Sequence, residues 1–219
     1  WYGFAEQFNF PKLLNKYNLD LMHFPHFNVP IFYNRKFVVT IHDLGEEYLP
    51  GYHQFPQKYY LSFASRFAAR HATRVIAVSD STKSDLKSRY GVQGDKVSVV
   101  HEGVDREFFK KASVMEINQV KAKYALGETY LLFVGTIQPR KNLERLIAAF
   151  ARSVKAGIAS DVQLVIAGGR GWLNKDIYAA PDKEGITEQV KFVGFVPEED
   201  LSALYSGAKA FVYPSLFEG

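Results

Sequence analysis

LLFVGTIQPRKNLERLIAAF, residues 131–150, is the stretch from which the fold class is read. Its apolar opening stops at Gly135, a residue that lets the backbone turn at a strand's carboxyl end. Beyond the turn, Leu143, Leu146, Ile147, Phe150 and then Val154 recur at helical spacing, behind Asn142 as a candidate N-cap. A buried strand running through a short polar loop into an amphipathic helix is one half of a βαβ unit. The loop delivers Arg140 and Lys141 to the start of that helix, a place cations normally avoid. A helix N-terminus already carries partial positive charge, so each cation there is repelled by about 0.3–1 kcal/mol unless an anion sits among them. A phosphate satisfies that condition through free N–H groups, the helix dipole and charge-assisted contacts together. A solvated surface pair at a loop end is the other reading of the same residues.

The same alternation extends along the chain. Candidate strands are 19–24, 37–41, 74–78, 97–100, 130–134, 162–167, 190–193 and 210–213, short and nearly continuous in apolar residues, as strands are when helices cover both faces. Candidate helices are 57–71, 81–90, 143–155 and 197–205, the last opening with Pro197 and the acids Glu198, Glu199 and Asp200. This predicts an α/β protein with mostly parallel sheets. The polar stretch 106–128 is the least strand-like, so the expected organisation is an N-terminal domain over 1–108, a linker over 109–128 and a C-terminal domain over 129–219. All six histidines (His23, His26, His42, His53, His71 and His101) precede the linker and the basic turn follows it, which divides the chemistry between two lobes.

Composition narrows the function. With 219 residues, 47% of them hydrophobic, the chain can bury roughly 70% of the surface its unfolded form exposes, which excludes disorder and mini-protein scaffolds. The net charge of +4 comes from 27 Lys+Arg against 23 Asp+Glu. Residues 1–108 hold 13 against 11 and the remainder 14 against 12, so no basic arm or stripe exists and nucleic acid is not an expected partner. The absence of cysteine excludes disulfide scaffolds, thiol nucleophiles and Cys-based zinc sites, and is compatible with a reducing compartment. The longest apolar runs are too short to span a bilayer, and WYGFAEQFNF at the start has no signal-peptide pattern.

Other constellations carry chemistry less sharply. His42 and Asp43 in VVTIHDL (38–44) follow a strand directly, where active residues of open α/β sheets stand. His42 can bond a substrate hydroxyl or share a proton, or it can be a structural histidine beside an Asp that caps the next turn. Glu218 in FVYPSLFEG (211–219) can grip hydroxyls of a polar ligand or be an exposed loop acid. Gly168-Gly169-Arg170-Gly171 follows a strand but lacks Gly-x-Gly-x-x-Gly spacing, and reads as a flexible turn. His23 and His26, with Pro25 between them, have no nearby carboxylate to complete a metal set. Asp-x-Asp, Gly-x-Ser-x-Gly and Walker motifs are all absent.

Taken in order, VVTIHDL (38–44), VIAVSDSTKSDL (75–86), VSVVHEGVD (97–105), LLFVGTIQPRKNLERLIAAF (131–150), LVIAGG (164–169), VKFVGFVPEEDLSALYSGA (190–208) and VYPSLFEG (212–219) resemble the retaining glycosyltransferases of family 4. The resemblance covers most of the chain. It implies the GT-B fold, two Rossmann-like parallel-sheet domains facing a cleft in which the donor lies. It also implies roles: Arg140 and Lys141 hold the diphosphate of a sugar nucleotide, Gly135 shapes the loop before them, and main-chain groups at Val196 meet the nucleobase. Glu218 matches the first glutamate of a two-glutamate motif that contacts the donor sugar, and His42 matches the histidine that reaches the sugar from the N-terminal lobe.

The implied reaction moves a hexosyl unit, mannosyl among the options, from a nucleotide diphosphate sugar to a hydroxyl acceptor with retention. No metal or other cofactor is expected, because fixed cations and helix dipoles stabilise the leaving diphosphate. The implied partners are the nucleotide-sugar donor and a glycan or lipid-linked acceptor, in a cytoplasmic setting compatible with peripheral contact with anionic membrane. A noncatalytic nucleotide- or sugar-binding module on the same fold is the alternative.

Departures from the family pattern matter too. The family's glutamate motif runs through Gly-Phe-Gly to a second glutamate, and its first strand and glycine-rich loop stand ahead of the region matching Trp1. The expectation is therefore an interior section of a longer enzyme, with both lobes incomplete, sheet edges uncovered and no activity alone. His101-Glu102-Gly103-Val104-Asp105 also replaces the commoner Pro-Asn-Gly-Val-Asp.

Overall fold

In the computed structural model, which describes residues 4–48, 57–104 and 110–219, the chain forms two compact units. The first comprises Trp1–Gly103 together with Phe217–Gly219, the second Val104–Leu216. His53 and the expected domain boundary after Phe108 lie outside the described residues.

In chain order the first unit contains α1 (Phe4–Lys16), β1 (Met22–Phe24), β2 (Phe37–Ile41), α2 (Gly45–Tyr48), α3 (Gln57–His71), β3 (Arg74–Ala77), α4 (Asp80–Tyr90) and β4 (Val97–Val99). Its described strands lie in the order β1-β2-β3-β4, every neighbouring pair parallel. Parallel pairing brings all carboxyl ends to one edge: Phe24 pairs with Val39, Ile41 with Ala77, and Ala77 with Val99. Val39, Ile41, Val75 and Ala77 are fully buried, so β2 and β3 form the centre of the core. Local chemistry sets the helix ends. Ser79 caps α4 by accepting a bond from the Thr82 amide at 3.0 Å, which is why that helix begins at Asp80.

The second unit contains α5 (Val114–Tyr124), β5 (Thr129–Val134), α6 (Leu143–Lys155), β6 (Val162–Ala167), α7 (Lys175–Glu184), β7 (Val190–Gly194), α8 (Glu198–Gly207) and β8 (Ala210–Phe211). The described strands run β7-β6-β5-β8, again all parallel. Alternation along β5 and β6 sorts the two faces. Phe133, Leu164 and Ile166 pack with Leu143, Ile147 and Phe150 of α6 on one face. Tyr130, Leu132, Val165 and Ala167 pack with Val120 of α5 and Leu204 of α8 on the other. On that second face the buried Tyr130 hydroxyl donates to the Leu204 carbonyl at 2.7 Å, and burial raises its pKa to about 12.

All eight expected strands are present, the first and last shorter than expected. β8 ends before Tyr213 because Pro214, which has no N–H to give the ladder, follows at once. The helices α1, α2 and α7 have no counterpart among the candidate helices, whereas α5 falls in the connector stretch 106–128, whose composition has a helical bias. Pro11 interrupts the pattern in α1 and Pro181 that in α7, while α5, inside the stretch expected as a linker, is held by a capping box between Ser113 and Glu116.

Candidate functional site

The register of β5 on β6 pairs Val134 with Ala167, so the loops that follow these two strands leave the sheet side by side. The Gly135 amide donates to Ala167 O at 2.9 Å, Ile137 N to Gly169 O at 3.0 Å, and Gly171 N to Ile137 O at 3.1 Å. The 168–171 segment is thus laced to the basic loop and is not the flexible turn its sequence suggests. Gly168 has φ +148°, and a Cβ there would stand 1.9 Å from the Gly135 carbonyl oxygen, so only glycine fits. The Gly168 amide donates in turn to Gly194 O at the end of β7 at 2.7 Å. Gly135, Gly168 and Gly194 therefore close three adjacent strands with bare backbone.

The basic pair stands beside this row. Pro139–Lys141 form a single 3-10 turn ahead of α6, so Arg140 and Lys141 precede the helix by one turn. Asn142 does not act as the expected side-chain cap. Its backbone is left-handed (φ 59°), and its Nδ2 is committed elsewhere, donating to Pro214 O at 3.1 Å. That bond belongs to a strap. Residues 213–216 lie along the turn, with Leu216 N donating to Arg140 O at 2.9 Å and Lys141 Nζ donating to the Tyr213 hydroxyl. Lys141 is only 5% exposed, its ammonium 4.6 Å from the Tyr213 ring centroid. Tyr213 is held by Phe133 and Phe211, ring centroids 5.4 and 5.6 Å away. Among the described residues the Oε1 of Gln138, which precedes this turn, and the Oγ of Ser215, which belongs to the strap, are buried without a hydrogen-bond partner. Val196 follows β7 with its side chain in the core against Ala203 and Leu204, leaving its main chain as the part that could meet a ligand. A cavity of about 740 Å³ lies between α5 and α8, and none of the expected site residues lines it.

In the first unit His42 follows β2, and its ring is held from both sides. Nδ1 lies 2.8 Å from Glu102 Oε1 and Nε2 lies 2.9 Å from the Pro25 carbonyl. The His26 ring stacks at 6.3 Å between centroids. Burial, with the neighbouring His42, holds the His26 imidazole below its ordinary value, against the pull of Asp43. Asp43 accepts the Gly45 amide at 2.8 Å and so caps the short α2 turn, the bland role open to it in sequence. Glu218 is exposed and falls with the first unit, where Phe217 stacks on Tyr48 at 4.6 Å. Gly135, Arg140 and Lys141 thus share one loop, whereas His42 and Glu218 are grouped in the other unit. Sequence reasoning missed Tyr213, Gln138 and Pro25; Glu102 left a trace only as a departure from the family's commoner residue.

Comparison with known proteins agrees with this architecture. Residues 1–108 match the family model described as Glycosyltransferase Family 4, and residues 114–219 match Glycosyl transferases group 1. The chain belongs to the family 4 glycosyltransferases with the GT-B fold. This glycosyltransferase chain is 28% identical to O-antigen chain mannosyltransferase B of Escherichia coli, over 94% of its own length and 54% of that protein's. It is 31% identical to the serotype-specific mannosyltransferase WbdA of Escherichia coli, over 84% of its own length and 23% of that protein's. Among solved structures, sucrose-phosphate synthase from Thermosynechococcus elongatus superposes with a TM-score of 0.75 at 23% identity, covering 95% of this chain and 53% of that one. Anabaena HepE in complex with UDP-glucose gives a TM-score of 0.73 at 19% identity, covering 93% and 56%. The chain spans about half the length of the mannosyltransferase it matches over most of its own. Among the described residues no helix is long and apolar enough to cross a membrane.

Proposed function

We propose that the chain is part of a transferase that moves a hexosyl unit, mannosyl first among the options, from a nucleotide diphosphate sugar to a hydroxyl of a glycan or lipid-linked acceptor, with retention and without a metal. The observation that carries this reading is the basic turn Pro139–Lys141 at the carboxyl end of β5, in a chain that matches two glycosyltransferase models in succession. Bare backbone at Gly168 lets the loop after β6 pack against the loop that carries the basic turn, and so fixes that turn beside the strand ends. Arg140 and Lys141 supply the positive charge that a leaving diphosphate needs, already oriented before reaction. Two mannosyltransferase relatives favour a mannosyl donor, and a neighbour that holds UDP-glucose keeps a UDP-hexose in the panel. On this reading Glu218 and His42 contact the donor sugar, and Val196 contributes main-chain contacts to the base.

The test is a panel of GDP- and UDP-sugars offered to the complete protein with and without EDTA, with product release followed by mass spectrometry and the anomeric configuration by NMR. Transfer from one donor, undiminished by EDTA and with retained configuration, is expected. A hydrogen bond to a charged group is worth about 1.5–3 kcal/mol, so Arg140→Ala and Lys141→Ala should each lower turnover roughly ten- to a hundred-fold. Unchanged turnover in both variants removes the diphosphate role. Binding of a nucleotide sugar without transfer would establish the noncatalytic module instead.

A further inference from the structure

His42 faces two hydrogen-bond acceptors at once, the Glu102 carboxylate at 2.8 Å and the Pro25 carbonyl at 2.9 Å. A neutral imidazole has one N–H and serves one of them; both bonds together require the imidazolium. The two acceptors differ in kind. Pro25 O is a neutral main-chain atom, whereas Glu102 carries a charge that makes its bond the stronger of the two. Both partners follow strand ends of the same sheet, Pro25 after β1 and Glu102 after β4, so the fold itself places them on opposite edges of the ring. The ring's main chain is also fixed, since the Thr82 hydroxyl donates to His42 O at 3.1 Å. His26, stacked beside it, accepts the Asn28 amide through Nδ1 at 3.4 Å, a bond only the uncharged form can accept. His26 thus turns a lone pair to the main chain, and the ring that meets the carboxylate is His42.

We propose that Glu102 is a positioning residue for His42: its carboxylate holds the Nδ1 edge of the ring, so that the Nε2–H, now on the Pro25 carbonyl, is the edge presented to a substrate hydroxyl. The inference rests on the reading of His42 as a group that contacts the donor sugar. A substrate hydroxyl replaces the Pro25 carbonyl as acceptor from Nε2, and the Glu102 bond persists through that exchange. The carboxylate also keeps the ring from turning over. Glu102 is exposed and packs in no core, so its substitution leaves the fold of the unit intact.

The test uses the complete protein with two readouts. In ring-nitrogen NMR, Glu102→Met, which keeps the length and removes the acceptor, should shift the His42 Nδ1 resonance and leave those of His23 and His71 in place. In turnover, Glu102→Met should lower kcat about tenfold, with Glu102→Gln, which keeps an oxygen acceptor, falling less. Adding Glu102→Met to His42→Ala should cost nothing further, because the carboxylate acts through the ring. An unmoved Nδ1 resonance, or full additivity of the two kcat losses, overturns the positioning role. If His42→Ala and Arg140→Ala both turn over at the wild-type rate, the transferase reading of the site fails instead, and the NMR arm still decides whether Glu102 orients the ring.

Discussion

Lys141 rests on Tyr213: its ammonium lies 4.6 Å from the ring centroid and its Nζ donates to the ring hydroxyl. An aromatic ring that also offers an oxygen is a favourable seat for a nearly buried cation. The same strap holds the Arg140 carbonyl and the Asn142 side chain, so residues 213–216 set the shape of the basic turn before any ligand arrives.

Tyr213→Phe keeps the ring and removes the oxygen, and is expected to lower turnover only severalfold. Tyr213→Ala removes the seat altogether and should bring turnover down to the level of Lys141→Ala. Steady-state kinetics on the three variants checks the order; a wild-type rate in Tyr213→Ala would show that the ammonium finds its place unaided.

Gly168 and Gly169 stand next to each other with opposite tolerance. A Cβ at Gly168 meets the Gly135 carbonyl oxygen at 1.9 Å on a backbone of φ +148°, whereas one at Gly169 meets nothing within 4 Å. Gly168→Ala should cost about 2–4 kcal/mol and Gly169→Ala within about 0.5 kcal/mol, measured by urea unfolding. Equal midpoints for the two variants would contradict the close approach of the loops.

Asp200 in the first turn of α8 receives Lys123 Nζ and the Tyr124 hydroxyl, each at 2.6 Å, and ties α8 to α5. Partial desolvation would raise its pKa, but these two bonds outweigh it and hold the carboxyl below its ordinary value. A lowered folded-state value adds stability that is present at neutral pH and lost as the pH falls through the carboxylate range. Asp200→Asn should therefore melt earlier than wild type at pH 7, with the difference narrowing as the pH falls below the ordinary carboxylate value. Thermal melts across that range check it.

Glu46 has the opposite sign. It is buried in α2, and the Tyr90 hydroxyl lies 3.1 Å from both its Oε1 and the Ser65 hydroxyl. Burial pushes its carboxyl up, more than its hydrogen bonds pull it down. The folded state then favours the protonated acid, so its contribution is complete below the ordinary carboxylate range and is lost as the pH rises through the folded value. Glu46→Gln should raise the melting temperature at pH 7 and change little near pH 4, by about the ordinary carboxylate value. A destabilised Glu46→Gln at pH 7 would mean that the charged form is the one the fold prefers.

The alternating apolar runs and the motif order made the α/β class, the eight strands and the basic loop legible, because a strand covered on both faces and an amphipathic helix each leave a short-range pattern. Helix α6 runs from Leu143 to Lys155 as its spacing predicts. Where local signals compete, they mislead. Asn142 has the chemistry of a cap, yet its amide goes to Pro214, a residue far along the chain that the pairing of β8 with β5 brings alongside. Gly168-Gly169-Arg170-Gly171 has the composition of a loose turn, yet it is bound to 135–138 by the register of β6 on β5.

Residue identity by itself determined what each strand end could offer: cations at Arg140 and Lys141, an imidazole at His42, bare backbone at Gly135. Only the tertiary structure decided what those groups touch. Parallel pairing gathers the carboxyl ends of strands distant in sequence onto one edge, and so it chose Tyr213 as the seat of Lys141 and placed Glu102 and Pro25 on either side of His42. No short-range pattern encodes such partners, because sheet register sets them and register is a property of whole strands.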